Sequence, residues 1–206
     1  MKTNNIPASN IFCFILSLLT IIVYTSCDNT DPVKEDTPEL ITMVELTFSP
    51  AGGGDKVIVT ATDPDGEGVA DITVDKAIVL ATGKTYALSI ALVNGLADPA
   101  SSAYDVTAEV SQESAEHMLF FGWTGNAFSD PTGNGNIDNR SDKVNYEDAD
   151  LNGLPLGLET SWTTADTPSS GTFRVLLKHQ PALKSATSTS SEGESDLDVQ
   201  FEIEIQ

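Results

Sequence analysis

Cysteine and basic residues are both scarce in this chain. The 206 residues contain only Cys13 and Cys27, and 10 lysines and arginines stand against 31 aspartates and glutamates. So few cysteines exclude a disulfide framework. The formal net charge of −21 disfavours nucleic acid, because such a surface repels phosphate backbones. We therefore expect no nucleic-acid partner.

Catalytic signatures are missing as well. The sequence has no G-x-S-x-G turn, no glycine-rich phosphate loop and no H-E-x-x-H zinc helix, and its two histidines are His117 and His179. Carboxylates are abundant, but no spacing singles out one pair for acid–base chemistry. We expect a protein that is not an enzyme.

Long hydrophobic runs are limited to the N-terminus. Lys2 precedes an apolar run from Ile11 to Tyr24, and small residues lead from there to Cys27. This layout is typical of a cleaved secretory signal. The run is shorter than the roughly 20 apolar residues that a membrane span needs. Residues 1–26 are therefore predicted to be a signal peptide.

The residues before Cys27, Tyr24-Thr25-Ser26, resemble a lipobox, the bacterial site at which the cysteine is diacylated and becomes the mature N-terminus. Processing there removes Cys13, so no thiol is left for a disulfide or a thiolate metal site. It also removes Lys2 and no acidic residue, which turns the net charge of −21 into about −22. We predict attachment to a membrane through lipid on Cys27.

Residues 27–40 are predicted to form an acidic tether. Beyond Cys27 they read DNTDPVKEDTPEL and show no apolar period. At roughly 3.3 Å per residue, such a tether spans about 40 Å. An acidic stretch after a lipidated cysteine also resembles the export signal of Bacteroidetes-type surface lipoproteins. We therefore expect an outer-membrane, lipid-anchored protein at the cell surface.

Strand patterns dominate the remaining residues, 41–206. In the last segment, apolar side chains alternate with acidic or polar ones, so that one strand face is apolar. The same period of two recurs in the segments 44–48, 57–59, 86–92 and 173–177. Turns rich in Gly, Pro and Asp separate these segments. The prediction is a mainly β fold, a single antiparallel β-sandwich of immunoglobulin-like style.

One segment has the period of a helix instead. In residues 105–117, Val106, Val110, Ser114 and His117 recur at steps of about four behind Asp105, a suitable N-cap. One short helix is predicted there, followed at once by an aromatic strand, HMLFFGW.

A first candidate metal site lies at 147–159, EDADLNGLPLGLE, which fits the spacing of an EF-hand calcium loop. Calcium takes about six to eight oxygen ligands. The candidate ligands are the side chains of Asp148, Asp150, Asn152 and Glu159 and the carbonyl of Leu154. No flanking helices are predicted, and a plain Asp/Asn/Gly hairpin loop fits the same residues. Both interpretations stay open at this point.

A second candidate site involves the two histidines. By strand alternation, His117 shares a face with Leu119 and His179 shares one with Leu177, so each ends an apolar strand face. If the two ends meet, the imidazoles with Glu113 or Glu116 offer nitrogen and oxygen ligands for zinc or another transition metal. The alternative is that each histidine caps a core strand by bonding to the backbone.

Several blocks together carry a family resemblance over nearly all of 41–206. They are LTFSPAGGGD, DPDGEG, ATGKTYALSIALVN, DVTAEVSQESAEHMLFF, NYEDADLNGLPLGLETSWTT, LLKHQPALKSATS and GESDLDVQFEI. The set resembles small Bacteroidetes lipoproteins, often labelled type 1 periplasmic-binding-fold superfamily proteins and encoded near TonB-dependent receptors. The resemblance implies an envelope protein beside an uptake receptor. The strand-rich pattern, rather than the two-lobed fold of that label, sets the expected architecture.

Two functions follow as hypotheses. The first is a non-enzymatic, lipid-anchored accessory that binds a ligand or metal for a TonB-dependent uptake system. The second is a calcium-stabilised structural or adhesive surface domain. A pocket where His117, His179 and aromatic residues converge favours the first, and an intact loop at 148–159 without a pocket elsewhere favours the second.

Overall fold

The computed structural model describes residues 39–66 and 72–206. The predicted signal peptide, Cys27 and the tether up to residue 38 lie outside the described residues. Within them, ten strands are present: β1 Met43–Pro50, β2 Val57–Thr62, β3 Thr73–Val74, β4 Ile78–Leu80, β5 Thr85–Val93, β6 His117–Trp123, β7 Phe128–Asp130, β8 Glu159–Thr164, β9 Ser169–His179 and β10 Glu194–Ile205.

The strands form two sheets. The first has the order β3-β2-β1-β5-β8-β7, and the second has the order β4-β10-β9-β6. Every strand pair is antiparallel except β4 with β10, which is parallel. The predicted mainly β sandwich with one short helix is confirmed, with this single parallel pair as an addition.

The core lies between the inner faces of the two sheets. Phe48 on β1 contacts Phe173 on β9 edge to face, with ring centroids 6.0 Å apart, and Phe121 on β6 meets Trp162 on β8 at 5.5 Å. All four side chains are buried. Burying such a side chain contributes about 1.5–3 kcal/mol. The period of two seen in the sequence is therefore the burial pattern of the sandwich.

Strand β6 is buried on both faces, unlike the strands with one acidic face. Its outward residues Met118 and Phe120 form a small second cluster with Leu176 of β9, and Ile137 and Tyr146 pack against them. Ile137 and Tyr146 thus cover the outer face of β6, and the Tyr146 hydroxyl stabilises this cover by donating to the carbonyl of Leu119 at 2.6 Å. The near-continuous apolar run of HMLFFGW follows from that cover.

The helix is shorter than predicted. α1 spans Val106–Gln112, and its N-cap is Asp105, whose carboxylate accepts from the N–H of Ala108 at 3.1 Å. Residues 113–116 form turns and His117 already belongs to β6, so the predicted extent of 105–117 was wrong. His117 fits the helical spacing only by coincidence, because it is a buried residue of strand β6 and lies beyond the end of the helix. No helix within 39–66 and 72–206 is long and apolar enough to cross a membrane.

Candidate metal centre

The two histidines meet at one end of the second sheet. His117 opens β6, His179 closes β9, and the two are directly opposite each other in the antiparallel register. Their rings stack with centroids 4.6 Å apart and planes 10° from parallel. Both residues are almost completely buried. The two strand faces thus meet as the alternation suggested.

The turn that precedes β6 fixes the protonation pattern of a neutral His117. Its Nδ1 lies 3.2 Å from the carbonyl oxygen of Glu113. A carbonyl can only accept, so Nδ1 carries the proton and Nε2 keeps a lone pair. A backbone carbonyl on the second ring nitrogen is the usual support of a metal-binding histidine, because it orients the ring.

The Nε2 atom of His117 faces two carboxylates. Asp196 Oδ2 lies 3.5 Å away and Glu39 Oε1 lies 3.9 Å away. The side chains of His117 and Asp196 are fully removed from solvent, and that of Glu39 is 9% exposed. Neither His117 Nε2 nor Asp196 Oδ2 has a hydrogen-bond partner. Three electron-rich atoms therefore border one small buried space.

A β-bulge places Asp196 in this space. The register of β10 against β9 shifts between Ser195 and Leu197. Without the shift, alternation with the inward-facing Leu197 would turn Asp196 toward the outer face, as it does Asp198. A bulge adds one residue to one strand and re-aims its side chain. Asp196 consequently points inward although it lies beside an inward-facing neighbour.

Glu113 is the third carboxylate near His117. One carboxylate oxygen of Glu113, one of Glu39 and one ring nitrogen of His117 all lie within 4.8 Å of one another. Glu113 is the C-cap residue of α1, and its N–H donates to the carbonyl of Glu109. The end of the helix thus holds Glu113 beside the start of β6. We refer to His117, Glu39, Glu113 and Asp196 as the His117 cluster.

His179 faces a different carboxylate. Its Nε2 lies 3.5 Å from Glu116 Oε2, and the Glu116 side chain is 43% exposed. The predicted set of His117, His179, Glu113 and Glu116 is therefore gathered at one end of the sheet, but the two Nε2 atoms face separate acids. In stacked rings, an ion in the plane of one imidazole lies out of the plane of the other. The arrangement favours one imidazole per ion.

A well-ordered loop supports this end of the sheet. Gln180, which is fully buried, donates from Nε2 to the carbonyls of Thr189 and Glu192 at 2.9 and 3.0 Å. Gly193 then brings the chain back against β9. A Cβ at that position would lie 2.1 Å from the carbonyl oxygen of His179, so only glycine fits the approach. The start of β10, and with it Asp196, is thereby held close to the histidines.

Among the described residues, Lys178 is a cation close to the cluster. Lys178 on β9 is buried, and its ammonium donates to Ser195 Oγ at 2.9 Å. Burial lowers the pKa of Lys178, although the charges of Asp196, Asp198 and Glu194 act in the opposite direction. Lys178 and Asp196 therefore interact through their charges, while Asp196 Oδ2 lies 3.5 Å from His117 Nε2.

The loop at 148–159, the candidate calcium site, is organised by hydrogen bonds to its own backbone. Asp148 accepts from the N–H groups of Gly157 and Glu159 at 2.7 and 3.1 Å. Asp150 Oδ1 accepts from Asn152 and Leu154 at 2.8 and 2.9 Å. The carbonyl of Leu154 accepts from the Asp150 N–H at 2.8 Å. The bond from Asn152 to Asp150 is that of an Asx-type turn, and several oxygens of the candidate calcium ligands already accept hydrogen bonds in this structure.

The second oxygen of Asp150 is in a buried ion pair. Asp150 Oδ2 lies 3.2 Å from Lys184 Nζ, and the two side chains are 0% and 1% exposed. Lys184 also donates to the carbonyl of Ser114 at 2.6 Å. Burial lowers the pKa of Lys184, opposed by the hydrogen bond and charge of Asp150. The pair joins the loop at 148–159 to the turn after α1 and to the loop after β9.

Three grooves on the described surface are lined by residues other than His117 and His179. One of about 410 Å³ follows α1 and includes Glu113 in its wall. A second of about 460 Å³ lies between α1 and the loop at 148–159. The third, about 220 Å³, lies beside Trp123. Glu113 thus belongs both to the His117 cluster and to the wall of a groove.

No known relative identifies the chain. No family model matches it, no curated protein matches it, and no solved structure matches it. The resemblance to Bacteroidetes lipoproteins therefore stays a prediction.

Sequence reasoning missed two members of the His117 cluster. The sequence does not single out Asp196, because nothing in an alternating strand marks the position of a bulge. The predicted tether, residues 27–40, includes Glu39, because this residue sits among polar residues without an apolar period. Its backbone N–H in fact donates to Asp196 Oδ1 at 3.3 Å. The one available signal was an acidic residue directly before the apolar residues that open β1.

Proposed function

We propose that this chain is a lipid-anchored, non-enzymatic envelope protein whose β-sandwich binds a transition metal ion at the His117 cluster. In this role it serves as an accessory of a TonB-dependent uptake system. The observation that carries the proposal is the buried Nε2 of His117, which has no hydrogen-bond partner and faces the carboxylates of Asp196 and Glu39.

The electrostatics of the cluster call for a positive species. When Nδ1 of His117 donates to the Glu113 carbonyl, the lone pair of Nε2 points toward carboxylate oxygens, and lone pair and carboxylate repel each other. Gathering several negative charges in a buried site is costly unless positive charge balances them. A divalent ion between these atoms offsets the repulsion, because the ion is then the largest local charge in the site.

The spacing of the atoms suits a small ion. Zinc binds nitrogen and oxygen ligands at about 2.0–2.1 Å, and in a tetrahedron such ligands are about 3.3–3.4 Å from one another. His117 Nε2 and Asp196 Oδ2 are separated by 3.5 Å. Glu39 Oε1 lies 3.9 Å from the same nitrogen, and the ligand atoms of Glu39, Glu113 and His117 lie within 4.8 Å of one another, so the carboxylates must move closer together to reach that spacing.

The donor set selects for the class of ion. One imidazole nitrogen with carboxylate oxygens suits zinc and other transition metals, whereas calcium takes oxygen ligands. The net charge of −21 attracts cations of every kind to the surface. Selectivity would therefore come from His117 and the carboxylates held around it, and the surface charge would serve only to concentrate the ion.

The cellular context rests on the N-terminal sequence and on the family resemblance. The lipobox-like residues before Cys27 and the acidic residues after it support a lipid anchor and surface export. The resemblance supports a position beside an uptake receptor. An anchored domain that binds a scarce ion can raise its concentration near such a receptor.

Native mass spectrometry with elemental analysis of the full chain in detergent tests the binding function. We expect one zinc ion per chain in the wild-type protein, loss of that ion in His117→Ala, and retention in the matched variant His179→Ala. Absence of any bound transition metal after zinc addition would contradict the proposal and would leave a proton on His117 as the positive species. Equal zinc content in all three proteins would contradict the assignment to His117.

The uptake role has a separate test in cells. A strain whose chain carries His117→Ala should accumulate less zinc from a zinc-poor medium than the wild-type strain, at equal amounts of the protein. Equal accumulation would contradict the uptake role while leaving the binding site intact.

A further inference from the structure

We propose that Glu39 is a metal ligand delivered by the segment ahead of β1, so that the bound ion fastens this segment to the second sheet. The inference rests on the proposed metal-binding function and adds a consequence to it. Metal binding is then coupled to the packing of the residues before β1 against the second sheet.

Glu39 contacts the cluster twice, once through its backbone and once through its side chain. The N–H donates to Asp196 Oδ1 at 3.3 Å, and Oε1 lies 3.9 Å from His117 Nε2. The side chain is 9% exposed although the residue belongs to no strand or helix. A glutamate in an irregular polar segment ordinarily points to water. Here it enters a buried acidic site.

The two contacts support each other when an ion is bound. The N–H of Glu39 holds one oxygen of Asp196, which leaves the other oxygen, Oδ2, directed at His117. Hydrogen bonds of this kind orient a ligand and strengthen metal binding. Glu39 would thus position Asp196 through its backbone and coordinate the ion through its carboxylate.

The neighbouring residues limit where Glu39 can lie. Leu40 packs so closely over Gly66 that a Cβ there would be 2.6 Å from Leu40 Cδ1. The N–H of Thr42 donates to the carbonyl of Val93 at 2.9 Å and begins the pairing of this chain with the first sheet. Glu39 therefore lies between the start of β1 in the first sheet and Asp196 in the second sheet. Its backbone N–H bonds to Asp196, and its carboxylate faces His117.

Glu39 is also the residue of the cluster that we expect to control entry of the ion. The side chains of His117 and Asp196 are fully buried, whereas that of Glu39 retains slight exposure. Because a segment outside regular structure moves more readily than a strand, we expect Glu39 to open for entry and to close on the ion.

Zinc titration combined with hydrogen-exchange mass spectrometry of the full chain in detergent tests the inference. In the wild-type protein, zinc should slow exchange of the amides at residues 39–41. Glu39→Gln should weaken zinc binding at least tenfold, within the roughly 10–100-fold range known for groups that support a metal, and should remove the slowing. The matched control is Glu202→Gln, an exposed acid on β10, which should behave as wild type.

The outcomes separate this inference from the function it builds on. Tight zinc binding by Glu39→Gln, or unchanged exchange at 39–41 when the wild-type protein is saturated, would overturn the role of Glu39 and leave the His117 site standing. No zinc binding by the wild-type protein would overturn both. A melting temperature of Glu39→Gln in chelator that is at least as high as that of wild type shows that the variant is folded, so that lost affinity reports a lost ligand.

Discussion

His117 Nε2 lies 3.5 Å from Asp196 Oδ2, with both side chains withdrawn completely from solvent. One atom offers a lone pair and the other a negative charge, and neither has a hydrogen-bond partner. A fold built for stability alone would place an apolar pair or a hydrogen-bonded pair there. We interpret the pair as a site whose stability depends on a bound cation.

Asp196→Asn should expose this dependence. In chelator at pH 8, the amide can donate to His117 Nε2, so the metal-free domain should gain about 1 kcal/mol, or about 2–4 °C in melting temperature. The same change should abolish the stabilisation by zinc. Differential scanning fluorimetry in chelator and in zinc measures both effects. A melting temperature in chelator below that of wild type would indicate a protonated His117 paired with Asp196 in place of a metal site.

The buried pair of Asp150 and Lys184 should be strongly coupled. Lys184→Met leaves a buried carboxylate without its cation and should cost about 3–5 kcal/mol. Asp150→Asn combined with Lys184→Met should recover much of that loss, since neither charge then remains. Urea unfolding of the single and double variants measures the coupling. Lys76→Met is the control, because Lys76 and Asp75 form an exposed ion pair with Nζ and Oδ2 3.8 Å apart. That pair should contribute less than about 0.5 kcal/mol to the free energy of unfolding.

Acid should weaken the same pair. Burial alone would raise the pKa of Asp150, but the N–H groups of Leu154 and Asn152 and the ammonium of Lys184 together hold it below its ordinary value. Its stabilising contribution is therefore complete above the ordinary aspartate pKa of about 3.9 and is lost as pH falls through the lower folded value. Between pH 5 and 2, Asp150→Asn should show a shallower fall in unfolding free energy than wild type. An equally steep fall would assign the acid sensitivity to other carboxylates.

Glu159→Gln distinguishes the calcium hypothesis from the turn. Burial and the charge of Asp148 raise the pKa of Glu159. A raised folded pKa means that stability is lost as pH rises through it, so removing the charge should stabilise the domain at pH 7 and have no effect well below pH 4. If Glu159 were a calcium ligand, the variant would instead lose stability in millimolar calcium. Melting temperatures with calcium and with chelator, at both pH values, decide between the two.

The sandwich fold could be predicted from the sequence, because burial along its strands repeats every two residues. The stretch from Leu197 to Ile205 shows this directly, as every second side chain enters the core. The predicted helix is too long because the steps of four and three between Val110, Ser114 and His117 do not reveal that a strand has begun. Local periodicity describes a face and says little about where one element ends and the next starts.

Only part of the candidate metal site could be predicted from the sequence. Strand alternation put His117 and His179 at the ends of apolar faces, and these ends do meet. Asp196 could not be predicted, because a bulge changes the direction of a side chain without a distinctive residue type. Glu39 could not be predicted either, since its seat depends on contacts with residue 196, which is far away in sequence.

Cys27→Ala tests the predicted anchor. Without the thiol, no acyl chain can be attached, so the protein should leave the membrane fraction or keep its signal peptide. A single acyl chain anchors only marginally, and the several chains of a bacterial lipoprotein are what make attachment stable. Fractionation with detergent partitioning, beside the control Cys13→Ala, measures the effect. A processed Cys27→Ala protein that still partitions with membranes would contradict lipidation.

X-ray absorption at the zinc edge, on the zinc-loaded full chain, tests the His117 site most directly. It reports the number of imidazoles and the distances to the ion. We expect one imidazole and carboxylate oxygens at about 2.0–2.1 Å, with the imidazole signal lost in His117→Ala and kept in His179→Ala. Two imidazoles in the first coordination sphere, or a spectrum of hydrated zinc alone, would contradict the site described around His117.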